Sequence, residues 1–235
     1  MILLLARMQY VMGTLLYVGV IPERYVDSVF ALARRLDSLW RPFWEGWVSE
    51  GETLTVPYET DLVLLESLKW REKTGGRFDP FYRSPGKVPV RLGRSLWYFP
   101  KGTVFDPGGI AKGVFFRLLL EKFKFDSAFI NFGGSGIYSS HEVEVPVVSP
   151  DGTPLGDVNL KDGFLFVSST TRTQDTTPHI YDPLKGKVVR GRIVCAVKSR
   201  DPVVADVLST LCVITGGSIK GLVPESTDVK VFKGF

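Results

Sequence analysis

Hydrophobic and polar positions change period several times along this chain, and each change marks an expected element. Met8–Val20 alternates and is broken at Gly13-Thr14, which reads as a strand or hairpin ending near Ile21-Pro22. From Glu23 to Trp40, residues Val26, Val29, Phe30, Ala33, Leu36 and Leu39 recur at three- and four-residue spacing, one apolar helical face. Pro22 suits the start of that helix, and Trp40-Arg41-Pro42 is expected to end it. Phe43–Val56 reads as loop because Gly46 and Gly51 break any long period. A second helix is expected from Tyr58 to Lys73, with Leu62, Leu65 and Leu68 on one side and Gly75-Gly76 as its stop.

The stretch 82–95, rich in Pro, Gly and Arg, is expected to be a surface loop. Short strands follow at Leu96–Phe99 and Thr103–Phe105. Asp106-Pro107-Gly108-Gly109 then leads into a helix with Ile110, Val114 and Leu118 in one row and Phe115 and Leu119 in another. Further strands are read at Phe125–Phe132, Glu142–Val148, Phe164–Ser168 and Ile193–Lys198, with a polar loop at Thr170–Pro178. An apolar helix, Val203–Ile214, stops at Gly216-Gly217, and Val229–Phe232 reads as a last strand. Helices and strands mix without a regular βα repeat. The expected class is therefore α+β, with mixed sheets and packed helices in a single domain over 1–235.

Composition narrows the chemistry. At 235 residues and 44% hydrophobic content the chain can bury a large core, which excludes a disordered protein. With only two Cys and two His, a disulfide scaffold is excluded, as is a zinc module built on a local cluster of thiolates and imidazoles. Any metal would rest on oxygen ligands, which points to Mg²⁺ or Ca²⁺. Cys195 and Cys212 read as free thiols, small apolar fillers of a strand and a helix. The net charge of +4 comes from scattered Lys and Arg without a basic stripe, so no nucleic-acid partner is expected. Ile2–Ala6 is apolar, but Arg7 interrupts it well short of an export signal or a membrane span. That reading gives no transmembrane segment and a cytoplasmic location.

Three segments could carry chemistry. In Asp106–Gly113, paired glycines at a helix start allow close backbone approach, and the unpaired N–H groups of a first turn favour an anion such as phosphate; Lys112 could reach the same anion. Gly-Gly pairs also mark plain turns. Asp206 and Thr210 share one face of an otherwise apolar helix, where a carboxylate is costly to bury without a partner. Either the two oxygens hold Mg²⁺, or Asp206 caps the helix or faces water. In Pro178-His179-Ile180-Tyr181-Asp182-Pro183, His179 could be a general base held by Asp182, or an ordinary loop residue.

Together, Asp106-Pro-Gly-Gly-Ile-Ala-Lys-Gly113, Asn131-Phe-Gly-Gly134, His179-Ile-Tyr-Asp-Pro183 and Ala205-Asp-Val-Leu-Ser-Thr210 occur in an order that resembles the FAD:protein FMN transferase (ApbE) family. Met12-Gly13-Thr14 and Gly75-Gly-Arg-Phe-Asp-Pro80 fit the same pattern, so the resemblance spans about residues 10–216 of a chain short for that family. It implies an enzyme that splits FAD at its pyrophosphate, attaches FMN through a phosphoester to a Ser or Thr of an acceptor protein, and releases AMP. By resemblance, Met12, Trp40, Arg77, Phe78, Asp79, Asp106, Lys112 and Tyr181 would contact FAD. Gly109 (through its carbonyl), Asp206 and Thr210 would hold Mg²⁺, and His179 would be catalytic. The chain departs from the pattern at Ser135, where an Asp often follows the second Gly-Gly, and near Arg117, where an acid is expected. The alternative function is a non-catalytic FAD-binding protein of the same fold.

Overall fold

The computed structural model describes residues 7–171, 177–219 and 221–235. The early residues 2–6 and most of the polar loop, 172–176, lie outside them. Strands β1 (Arg7–Val11) and β2 (Thr14–Gly19) form the expected hairpin. Its two-residue turn, Met12-Gly13, has φ of 51° and 74°, the pair of positive values that lets a tight turn follow the strand twist. Gly13 is exposed at the hairpin's end, and Met12 is half-buried against the core.

Helix α1 (Glu23–Trp44) buries the apolar face read from the sequence: Val26, Val29, Phe30, Ala33 and Leu36. It runs one turn beyond the expected stop at Trp40-Arg41-Pro42. Pro42 removes only one late hydrogen bond, and aromatic packing offsets that loss. Phe43 sits 5.1 Å from the Phe105 ring and 5.4 Å from Trp47, and Trp44 lies edge-on to Trp40 at 6.4 Å. Helix α2 (Tyr58–Lys73) has the expected bounds, closed by Gly76 N–H donating to the Arg71 carbonyl at 2.8 Å.

Two regions read as loop contain strands. β3 (Glu52–Thr55) and β4 (Val90–Gly93) flank β5 (Leu96–Phe99) in a small antiparallel sheet. Their side chains are mostly polar or exposed, so the hydrophobic pattern carried little sign of them. Conversely, Thr103–Phe105 is not a strand; Val104 makes only an isolated bridge to Val48.

Helix α3 (Ala111–Lys122) leads to the central sheet. Its strands are β1, β2, β6 (Phe129–Phe132), β7 (Gly136–Ser139), β10 (Gly163–Ser169), β13 (Ile193–Ser199) and β14 (Asp228–Lys233), in that order and antiparallel throughout. β6 begins later than the expected Phe125, because Phe123 and Phe125 turn aside to pack on the Tyr25 ring, each at 5.6 Å. Helices α1, α3 and α4 (Pro202–Ile214) pack on one face, around Leu16, Phe132, Phe166 and Leu208. The hairpin of β8 (Val143–Val148) and β9 (Pro154–Leu160) covers part of the other face through Val147, Leu160, Leu165 and Ala196. Two short strands, β11 (Tyr181–Asp182) and β12 (Lys187–Val188), complete the α+β architecture. No helix among the described residues is long and apolar enough to cross a membrane.

The cysteines correct the sequence reading. Cys195 on β13 and Cys212 on α4 form a disulfide, with Cα atoms 6.1 Å apart. The pairing joins the helix to the sheet strand beneath it. Nothing in the linear spacing indicated it, because it depends on how α4 lies across β13.

Candidate functional site

One cavity of about 650 Å³ opens beside the end of the β1–β2 hairpin. It draws on segments far apart in sequence: the turn at Met12-Gly13, Phe78 and Asp79 after α2, the 106–112 stretch, the end of β10, the His179–Tyr181 segment, and Asp206 and Thr210 of α4. Each element places its group for a local reason. The hairpin turn projects Met12, and α4 turns Asp206 and Thr210 to one side through their four-residue spacing.

The junction of α3 and α4 organises this site. Gly113, in the first turn of α3, lies against α4 so closely that a Cβ there would stand 2.8 Å from the Pro202 carbonyl oxygen and from Val203 Cα. That approach lets the Gly113 N–H donate to Asp206 Oδ2 at 2.8 Å. The helix-start N–H groups, which could have received a phosphate, are thus turned in part toward the chain's own carboxylate. Asp206 is only 4% exposed and does not cap α4. Asp201 does, accepting from the N–H groups of Val203 at 2.8 Å and Val204 at 3.2 Å. The structure therefore removes the reading in which Asp206 is a cap or a solvated residue.

Burial pushes the Asp206 carboxyl up to about 6, against the opposing pull of the Lys112 charge and the backbone N–H groups of Gly113 and Lys112. Burial likewise lowers Lys112, and the nearby Asp206 charge opposes that. The Lys112 ammonium donates to Ser135 Oγ, so the residue replacing the usual acid takes up that lysine. Arg117, the other departure, is engaged away from the cavity: it bridges Glu66 at 2.8 Å and Asp201 at 2.9 Å, tying α3 to α2 and to the start of α4.

Hydroxyl oxygens cluster beside Thr210, one turn along α4 from Asp206. Ser168 Oγ lies 2.8 Å from Ser209 Oγ and 3.4 Å from Thr210 Oγ1. The missing side chain of Gly109 leaves its backbone close to Thr210, whose Oγ1 is 3.5 Å from where a Cβ would stand. Among the described residues no group of three His, Cys, Asp or Glu side chains could hold a metal. A cation here would rest on one carboxylate, a hydroxyl and a carbonyl, with remaining positions left to water or ligand phosphates. That donor set suits Mg²⁺, which commonly keeps waters and binds few carboxylates. A cation would also offset the cost of the buried Asp206 charge.

His179 is exposed and lines the cavity, beside buried Ile180 and half-buried Tyr181. One of the two sequence readings has Asp182 holding it. Instead Asp182 Oδ1 accepts from the N–H groups of Leu184 and Lys185, both at 3.1 Å, and Oδ2 pairs with the Lys185 ammonium at 2.9 Å. Its carboxylate builds the turn after β11.

Other residues named from the sequence divide. Met12, Phe78, Asp79, Asp106, Gly109, Lys112 and Tyr181 line the cavity. Asp79 also anchors its own turn, accepting from Phe81 N–H at 2.9 Å and pairing with Arg71 at 3.1 Å. Trp40 does not line the cavity; it is fully buried in the core. Trp44 lines it instead, one turn further along α1, because the helix continues through Pro42. Arg77 is exposed and lies outside the lining. The sequence reading missed Tyr82, Arg83, Ser168 and Ser169, all of which line the cavity. Tyr82 and Arg83 fell in a segment read as surface loop, and the serines end a strand whose pattern marks only its core face.

Known structures share this arrangement of elements. The crystal structure of the ApbE protein from Thermotoga maritima superposes with a TM-score of 0.75 at 18% identity, covering 92% of this chain and 88% of that one. Flavin transferase ApbE from Vibrio cholerae gives 0.70 at 14% identity, covering 97% and 96%. The apo flavinyl transferase ApbE from Pseudomonas stutzeri gives 0.69 at 15% identity, covering 90% and 84%. No curated protein sequence matches the chain significantly. At these identities the structures establish the fold. The sequence model of the ApbE family matches residues 87–232, well over half of the chain and including the glycine-rich, histidine and α4 segments of the cavity. This chain belongs to the ApbE family.

Proposed function

We propose that this chain is a Mg²⁺-dependent flavin transferase that splits FAD and attaches FMN to a Ser or Thr hydroxyl of an acceptor protein. One observation carries the reading: Gly109, Lys112, His179, Asp206 and Thr210, brought from three separated segments, line one cavity. Family membership and two matched structures named as flavin transferases support it.

In this reading Asp206, Thr210 and the Gly109 carbonyl hold Mg²⁺, which supplies charge neutralisation at the pyrophosphate. Lys112, fixed by Ser135, adds a donor for the oxygen that gains charge as the bridge breaks. His179 takes the proton of the incoming hydroxyl. The hydroxyl oxygen bonds to the FMN phosphorus, and the bridging oxygen departs with AMP. Met12, Phe78 and Tyr181 provide apolar surface for the ring systems.

The test is a transfer reaction with FAD, Mg²⁺ and an acceptor carrying a Ser/Thr site, read as covalent flavin fluorescence in a denaturing gel. An adduct from wild type that is lost in His179→Ala and Asp206→Ala is expected. FAD binding with no adduct would favour a non-catalytic flavin-binding protein, and an adduct surviving both substitutions would overturn the residue roles.

A further inference from the structure

Tyr82 has no role in the scheme above, yet its setting is built rather than incidental. Its ring stacks on Tyr181 with centroids 4.7 Å apart and planes 27° from parallel. Its hydroxyl donates to Asp106 Oδ2 at 3.1 Å and accepts from Arg83 Nε at 3.0 Å. Arg83 also pairs with Asp106 Oδ2 at 3.2 Å, and its guanidinium lies 5.5 Å from the Tyr82 ring centre. The remaining Asp106 oxygen accepts from Gly108 N–H at 3.0 Å. Burial, reinforced by the Asp106 charge, raises the Tyr82 phenol and keeps it protonated as a donor.

Two consequences follow from these contacts. A tyrosine pinned through its hydroxyl gives up little further freedom when another ring packs on it, so its flat face is preorganised. The same hydroxyl and Arg83 fix the rotamer of Asp106, at the glycine-rich turn that leads into Lys112. An aromatic pair with charged groups at one edge of a cavity suits a flat heteroaromatic ring carrying polar edges. FAD offers two such rings, adenine and isoalloxazine.

We infer that Tyr82, together with Tyr181, forms the stacking wall that positions one flat ring of the dinucleotide, and that Tyr82 orients Asp106 through its hydroxyl. This rests on the flavin-transferase reading, and the test separates the two. Wild type, Tyr82→Phe, Tyr82→Leu and Tyr82→Trp are titrated with FAD, with FMN and with ADP, each in Mg²⁺, following flavin fluorescence quenching or heat. Circular dichroism confirms folding of each variant.

Loss of the ring in Tyr82→Leu should weaken FAD binding about three- to tenfold, the scale of an aromatic pair beyond its buried area. Tyr82→Trp should restore most of that affinity. Weakening confined to FMN places isoalloxazine on the wall, and weakening confined to ADP places adenine there. Tyr82→Phe should keep the ring's share of affinity but lower the transfer rate, since Asp106 loses a donor. Unchanged FAD affinity in Tyr82→Leu would overturn the inference while leaving the transferase reading intact. No FAD binding by wild type would instead sink that reading.

Discussion

Gly113→Ala tests the central joint of this site. Two effects oppose each other. Gly113 is the third residue of α3, so alanine would gain up to about 1 kcal/mol of helix propensity. Yet its Cβ would stand 2.8 Å from the Pro202 carbonyl oxygen, 2.8 Å from Val203 Cα and 3.0 Å from Asp206 Cβ. Ordinary contacts lie near 3.5 Å, so α3 and α4 would have to part by roughly 0.7 Å. The first two atoms belong to backbone and cannot swing aside. Overpacking of this kind costs about 1–3 kcal/mol, and the stretched Gly113 N–H to Asp206 bond adds to it. The crowding wins, leaving a net loss of about 1–2 kcal/mol. Urea unfolding should show a lower midpoint at unchanged slope, with Mg²⁺ and FAD affinity reduced as Lys112 moves from Asp206. Gly93→Ala, on an exposed strand where the nearest contact is 4.0 Å, is the control and should change stability by less than about 0.5 kcal/mol. A Gly113→Ala protein as stable as wild type, binding ligand equally well, would refute the claim that glycine is needed for helix approach here.

Two further outcomes are expected. In chelator, stability should fall as pH rises from about 4 to 6: the folded Asp206 carboxyl titrates at about 6 against an ordinary value of 3.8, so the folded state holds its proton longer than the unfolded state. The full effect is about 3 kcal/mol above pH 6, and it should shrink in Asp206→Asn and on adding Mg²⁺; a pH-independent difference between wild type and Asp206→Asn in urea melts would contradict it. Replacing Cys195 and Cys212 by alanine should cost about 3 kcal/mol, the loop-entropy value for a 17-residue separation, and mass spectrometry of chain denatured and alkylated without reductant should find neither cysteine labelled.

The sequence revealed the elements whose patterns are long or bounded by strong breakers. Tyr58–Lys73 and Leu96–Phe99 emerged with the observed limits, because sustained periodicity and Gly-Gly or Pro punctuation act locally. β7 and β9 were missed: four residues opening on glycine, and seven carrying Pro154 and Gly156, leave too little pattern to read. Candidate site residues were legible where short motifs grouped unusual types, as in 106–113 and 205–210. Trp40 lies four residues after Leu36 on the apolar face of α1 and packs in the core, whereas the run of α1 past Pro42 is what brings Trp44 to the cavity.

By itself, then, the sequence determined the amphipathic helices, the hairpin, the lack of a thiolate–imidazole metal cluster and the short motifs that mark the family. Those depend on residue type and near-neighbour spacing. Tertiary structure decided what needs distant segments to meet. The closeness of α3 and α4 at Gly113 buried Asp206 and turned helix-start donors toward it. The lie of α4 across β13 joined Cys195 to Cys212. The segment after α2, folding back to the cavity, brought Tyr82 onto Tyr181 and its hydroxyl onto Asp106. Burial and long-range pairing follow from packing of the whole chain, and no local pattern records them.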